Sequence, residues 1–241
     1  MFFKIPLYLG DIYMYKYAAV IVAGGSSNRM KGIDKIFFQL CGRPVLQYSL
    51  EQFIRSNFFS QIVVVTNSQN MKKVNGILTS LGNNDVKVVM GGKRRQDSVL
   101  KGLGAISVCD YVAIHDGARP LVSQEILNLG AKCVEKVGAA IPVVPLQDTV
   151  KKVNLKSFVS ETIDRGVLRA VQTPQFFDYN LIKQAHYLVD EDVTDDSTMV
   201  ELIGNPVSVF PGDPNNIKIS SQSDLVFLEF IITGEKNNER N

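Results

Sequence analysis

Residues 17–35 read YAAVIVAGGSSNRMKGIDK, an apolar run that ends in a glycine pair and continues into polar and basic residues. Ala18–Val22 has the length and composition of a strand covered on both faces. Gly24 and Gly25 permit a sharp turn that points backbone N–H groups at an anion; Ser26 and Ser27 add donors, and Arg29 and Lys35 add two positive charges. The familiar nucleotide fingerprints are missing, because neither GxxxxGK[ST] nor GxGxxG occurs. A GxSxG elbow and an HExxH pair are absent as well. Read alone, the loop is open to two interpretations, a phosphate site and a plain turn.

Further along the chain, the same kind of strand recurs at Ile62–Thr66, Val86–Met90, Tyr111–His115 and Ala139–Val144. Helical spacing fills the intervals, from Pro44 onward and over Ser98–Ile106 and Gln124–Val137. This βαβα alternation predicts an α/β fold, a Rossmann-like and mostly parallel sheet flanked by helices. Ligands on such sheets sit beyond the carboxyl ends of the strands, so the loops at 23–35, 91–98 and 115–120 should converge. From Leu146 the pattern changes to short, charge-alternating stretches, DTVKKV, FVSETID and LRAVQT, expected as a β-arm over 147–173. Helices are expected over Asp178–Val189 and Asp196–Ile203, and a last one from the SQSD start at Ser221. The expected organisation is an extension at 1–16, a single domain over 17–234 and a polar tail at 235–241.

Composition narrows the functional classes. With 241 residues, 45% hydrophobic and 21% charged, the chain is globular. A net charge of +2 argues against a nucleic-acid-binding surface. Cys41, Cys109 and Cys133 are too widely spaced for a CxxC site and are expected as thiols of a reducing compartment. The apolar stretch MFFKIPLYLGDIYMYKY is broken by Pro6, Gly10 and Asp11, unlike a signal peptide. No membrane span and a cytoplasmic location are the expectations.

Two further loops repeat the logic of the first. VVMGGKRRQDSV places Gly91-Gly92 and three basic residues before a helix start, and Lys93, Arg94 and Arg95 read as a solvated charge run. AIHDGARP ends a buried strand on His115 and Asp116. An Asp there suits Mg²⁺, which takes one or two carboxylates together with phosphate oxygens; a cap or turn role is the alternative. His115 reads as a hydrogen-bonded core imidazole. VTDDSTM sets Thr194, Asp195 and Asp196 at a helix start, where capping alone accounts for them. In PNNIKIS, Lys218 lies inside a short apolar strand and should face a counter-charge.

Taken together, AGGSSNRM…K, GGKRRQDSV, HDGARP, DTV, ETIDR, AVQTPQ, TDDS and NIK resemble, in order and over Tyr17 to Phe230, the 2-C-methyl-D-erythritol 4-phosphate cytidylyltransferase family. The resemblance implies a CTP-dependent nucleotidyltransferase that joins CTP to a polyol phosphate and releases pyrophosphate, with Mg²⁺ or another divalent cation. It implies catalytic roles for Arg29, Lys35 and Lys218. Ala23, Gly24, Gly25, Gly92, Lys93 and Ser98 would bind the nucleotide. Asp116, Arg119, Thr149, Arg165 and Thr194 would bind the acceptor, with Asp116 beside the metal. It further implies a homodimer in which the 147–173 arm packs on a second subunit, so that Thr149 and Arg165 act across the interface. The chain departs from the family pattern at Val22–Gly25 and at Lys93, where an acidic residue is frequent. Ribitol 5-phosphate cytidylyltransferase is the near alternative, and a non-catalytic nucleotide-binding protein the distant one.

Overall fold

In the computed structural model the described residues are 15–25 and 34–238, with side chains described to residue 234. The chain runs β1 (Tyr17–Val22), β2 (Gln39–Leu40), β3 (Arg43–Pro44), α1 (Val45–Arg55), β4 (Phe59–Thr66), α2 (Met71–Ser80), β5 (Lys87–Met90) and α3 (Arg95–Gly104). It continues through β6 (Tyr111–Asp116), α4 (Gln124–Val137), β7 (Ala139–Pro145), β8 (Val150–Val153), β9 (Val159–Ile163), β10 (Arg169–Val171) and β11 (Gln175–Asp178). Last come α5 (Tyr179–Leu188), α6 (Asp196–Leu202), β12 (Ser208–Pro211) and α7 (Gln222–Asn238).

The main sheet has the order β10-β7-β11-β6-β1-β4-β5, with β12 also paired to β7. β6, β1, β4 and β5 are mutually parallel, whereas β11 enters antiparallel between β6 and β7. Because strand side chains alternate, β1 feeds both faces: Tyr17, Ala19 and Ile21 join one apolar cluster, and Ala18 and Val20 the other. α1, α2 and α4 cover the first face through Leu50, Phe53, Val74 and Leu127. α3, α5 and α6 cover the second through Val99, Leu103, Ile182 and Met199. A smaller cluster seats α7 on β2 and α1 through Leu225, Leu228 and Ile232 against Leu40, Val45 and Tyr48.

Local signals set several boundaries. α4 opens where the Ser123 hydroxyl accepts from the Ile126 N–H at 3.2 Å, and it closes on Gly138 at φ 82°, a left-handed cap that suits glycine. Asp178 caps α5 by accepting from Asn180 and Leu181, both at 2.9 Å.

The structure amends three expectations. α3 begins at Arg95, ahead of the Ser98 read from spacing, because Asp97 accepts from the Arg94 N–H at 3.0 Å and stabilises an earlier first turn. Lys218 is not in a strand; residues 216–219 have no regular secondary structure, and the Ile219 N–H donates to Ala118 O, in the loop after β6, at 2.9 Å. α7 runs to Asn238, into the stretch expected as a polar tail. β8 and β9 form a two-stranded ribbon that shares no ladder with the main sheet. Residues 1–14, most of the expected extension, lie outside the described residues; Tyr15 stacks edge-on against Tyr111 at 5.3 Å. Among the described residues no helix is long and apolar enough to cross a membrane.

Candidate active site

Three loops leave the carboxyl ends of the parallel strands β1, β5 and β6, and backbone bonds tie each to the end of a neighbouring strand. The Ala23 N–H donates to Val65 O at 2.7 Å, the Gly91 N–H to Thr66 O at 2.8 Å and the Gly117 N–H to Val22 O at 2.9 Å. The loops at 23–25, 91–94 and 116–119 are therefore held side by side at one edge, as the topology requires.

On one side lies a cavity of about 550 Å³ lined by Gly24, Asn67, Gly92, Lys93, Ser98 and Lys101, among others. Three of its lining residues, Gly24, Gly91 and Gly92, can offer only main chain. The Ser98 hydroxyl accepts from the Gly92 N–H at 3.0 Å and donates to Arg94 O at 3.1 Å, which fixes the turn. A β-carbon added at Gly92 would lie 2.3 Å from the Asp97 β-carbon, so the turn closes onto the helix only with glycine there. Lys93 is exposed at the rim.

The second cavity, about 370 Å³, is lined by Arg95, Asp116, Arg119, Thr194 and Lys218, with Gln175 and Thr198 deeper in. Here the polarity comes from charges. The Lys218 ammonium donates to Asp116 Oδ2 at 2.7 Å, which supplies the counter-charge expected for that lysine. Arg95 Nε and Nη2 both reach Asp116 Oδ1 at 3.3 Å, while its Nη1 donates to Asp196 Oδ2 at 2.7 Å. Burial would raise the Asp116 carboxyl, but Arg95, Lys218 and Arg119 hold it well below the usual carboxylate range. Burial likewise opposes the charge on Asp196, and Arg95 with His186 overrides it.

Arg119 is buried, donates from Nη1 to Asn216 O at 2.7 Å, and has its Nε 4.0 Å from Asp116 Oδ2. That Nε is buried and has no hydrogen-bond partner among the described residues. His115 is fully buried between Arg119 O at 3.2 Å and the Thr173 hydroxyl at 3.2 Å, in keeping with a core imidazole. Burial lowers it to about 4.

The remaining residues singled out in the sequence divide clearly. Lys35 donates to Ile219 O at 3.2 Å, next to Lys218, so both lysines attend one segment. Thr149 and Arg165 lie on or beside the projecting ribbon, exposed and outside both cavities, with Arg165 donating to Gln147 O. Arg29 lies outside the described residues.

Two sequence readings are corrected here. Arg95 is not part of a solvated run; its side chain is 27% exposed and its guanidinium is clamped by two carboxylates. Asp195 caps α6, accepting from the Thr198 N–H at 3.1 Å, whereas Asp196 is fully buried and paired with Arg95, so capping does not account for both.

Described residues include no group of three or more His, Cys, Asp or Glu side chains placed to hold a metal. A lone ionised carboxylate still fits Mg²⁺, which keeps waters and takes substrate phosphates as its other ligands. The Lys218 side chain on Asp116 Oδ2 is 43% exposed and has room to move aside.

Comparison with known proteins agrees with this geometry. The sequence profile of 2-C-methyl-D-erythritol 4-phosphate cytidylyltransferase matches residues 17–234. A protein of that name from Dehalococcoides mccartyi is 40% identical over 218 residues, covering 90% of this chain and 96% of the relative. One from Clostridium perfringens is 40% identical over 224 residues, covering 91% and 100%. Among solved structures, 4-diphosphocytidyl-2C-methyl-D-erythritol synthase from Anaerococcus prevotii superposes with a TM-score of 0.82 at 29% identity, covering 91% of this chain and 96% of that one. The Thermus thermophilus cytidylyltransferase gives 0.75 at 28% identity, covering 89% and 98%.

Proposed function

The chain belongs to the 2-C-methyl-D-erythritol 4-phosphate cytidylyltransferase family, and from that premise we propose how its residues transfer the cytidylyl group of CTP to 2-C-methyl-D-erythritol 4-phosphate in isoprenoid biosynthesis. The observation that carries the reading is the meeting of Asp116, Arg119, Lys218 and Lys35 around one strand end, beside a glycine-walled cavity.

The nucleotide occupies the larger cavity, against Ala23, Gly24, Gly25, Gly92, Lys93 and Ser98. The acceptor phosphate meets Arg119 and Lys218 in the smaller one, with Thr194 at its wall. A phosphate monoester has its second pKa near ~6, so the attacking oxygen is already ionised at neutral pH and needs no general base. The obstacle is repulsion between two anions. Lys35 and Lys218, with Arg29 supplied by the first loop, lower it by placing positive charge where the transition state gathers negative charge. Burial decides their weight: a charge-assisted hydrogen bond contributes roughly 1.5–3 kcal/mol, an exposed pair ~0–1.

Asp116 would hold Mg²⁺ or another divalent cation through Oδ2, and the ion when bound would neutralise phosphate oxygens. Leu155, Phe158 and Val167 are exposed on the 147–173 arm, an apolar surface that favours packing on a second copy and would carry Thr149 and Arg165 to the partner's acceptor site. A single sedimenting species of monomer mass with full activity would dispose of that shared site. Pyrophosphate release from CTP, with 2-C-methyl-D-erythritol 4-phosphate and ribitol 5-phosphate as rival acceptors, tests the reaction. The methylerythritol ester should be the better substrate; a preference for the ribitol ester would overturn the assignment.

A further inference from the structure

We infer that Arg95 is the positioning residue for Asp116, and that Asp196, which touches neither cavity, acts through it. The inference rests on the site reading above. Three observations support it.

Arg95 places two N–H groups on Oδ1 of Asp116, and Lys218 takes Oδ2. The two oxygens are thereby made unequal: one is anchored by Arg95, the other is held by a lysine whose side chain is 43% exposed. Without the anchor the carboxylate can turn, offer both oxygens to Lys218 and draw that ammonium away from the phosphates.

Arg95 is in turn held by Asp196, a carboxylate with no exposed surface. A buried carboxylate without a counter-charge is strongly unfavourable, so this guanidinium is confined to one place. The other Asp196 oxygen lies 3.5 Å from His186 Nε2, on the side away from Arg95.

The flanking residues cross the same gap. Arg94 Nη1 donates to Asp190 O at 3.0 Å and to Asp192 Oδ1 at 3.1 Å. Gln96 donates to Glu191 O at 3.1 Å and accepts from the Val193 N–H at 3.4 Å. Residues 94–96 thus fasten the segment that walls the nucleotide cavity to the segment that carries Thr194. Arg95 is the member of this fastening that ends on a reacting-site residue.

The test uses the full chain and two variants. Asp196→Asn keeps the shape and removes the charge that anchors Arg95; Arg95→Lys keeps a charge that cannot bridge two carboxylates. Outer partners of a ligating carboxylate typically contribute 10–100-fold, so kcat should fall by ~10-fold or more in each variant. KM for CTP, and CTP affinity by calorimetry, should stay within about twofold, because the glycine wall is untouched. Circular dichroism and the thermal midpoint establish folding, and if one variant fails to fold the other decides. A folded variant with parental kcat overturns the inference. Equal losses in kcat and in CTP affinity overturn it too, since they would mean general loosening. Asp116→Asn, assayed alongside, separates the two levels: if it is inactive while Asp196→Asn is unaffected, only the positioning role fails; if it is also unaffected, the site reading fails.

Discussion

The two cavities present polarity by opposite means. Behind β5, Gly24, Gly91 and Gly92 bring main chain to the wall, its lysines are exposed, and one hydroxyl sets the turn geometry. Beyond β6, the wall is a set of buried or half-buried charges that satisfy one another across more than a hundred residues of sequence, from Arg95 to Asp196. A backbone wall tolerates side-chain change and fails when a β-carbon is added. A charge network fails when any member is neutralised, since its neighbours are left unpaired in a poorly solvated place.

The largest expected effect is therefore on the charged side. Asp116→Asn removes the negative charge that Arg95, Lys218 and Arg119 share and turns one of its two acceptor oxygens into a donor, and kcat should fall ~10³-fold, at the upper end of losses for a single electrostatic group in an active site. Initial rates of pyrophosphate release measure it. A variant that folds and turns over within ~10-fold of the parent would mean the network is structural and the chemistry lies elsewhere.

Next comes the buried imidazole one residue before Asp116. His115 titrates at about 4 in the fold against an ordinary 6.5, because burial disfavours its charged form. Between those values the unfolded chain binds the extra proton, so this stability is complete above pH 6.5 and is lost as pH falls toward 4, about 3 kcal/mol in all. Asp116 and Asp196, both depressed, act in the window below: their contribution is present above the ordinary carboxylate range and fades under it. Urea midpoints followed with pH should decline in two limbs, and His115→Gln should flatten the upper one. An upper limb that survives the substitution would point to another group.

The two sides were not equally legible in the chain. Glycine pairs after apolar runs are local signals, and the central strands declare themselves because both faces are covered; β1, β4, β5 and β6 fall where composition puts them. β11 and β12, four residues each, carry no periodicity of their own and exist because an edge of β7 or β6 is available to pair with. Arg95 was missed for a related reason. In Lys93-Arg94-Arg95 nothing local separates the residue that points inward from its neighbours; the choice is made by Asp196, far along the chain. Only half of a signal was present: Asp116 ends a strand expected to be buried, whereas Asp196 reads as a helix-start residue until its burial is seen.

The smallest effects should fall at two adjacent residues of the backbone-walled side, and they sharpen the contrast most. At Gly92, alanine brings a β-carbon to 2.3 Å of the Asp97 β-carbon and 3.1 Å of its carbonyl carbon, so the turn must move and the hydroxyl-held geometry of Ser98 with it. Overpacking of this kind costs about 1–3 kcal/mol, which predicts a rise of roughly tenfold in KM for CTP, with kcat at saturation little changed. Lys93→Ala, one residue on, removes an exposed charge whose interactions are screened by solvent, and KM for CTP should move less than about threefold. If the order reversed, with the lysine costing more than the glycine, the nucleotide would be held by side-chain charge on this side as well. The division between a main-chain wall and a charged one would then be wrong.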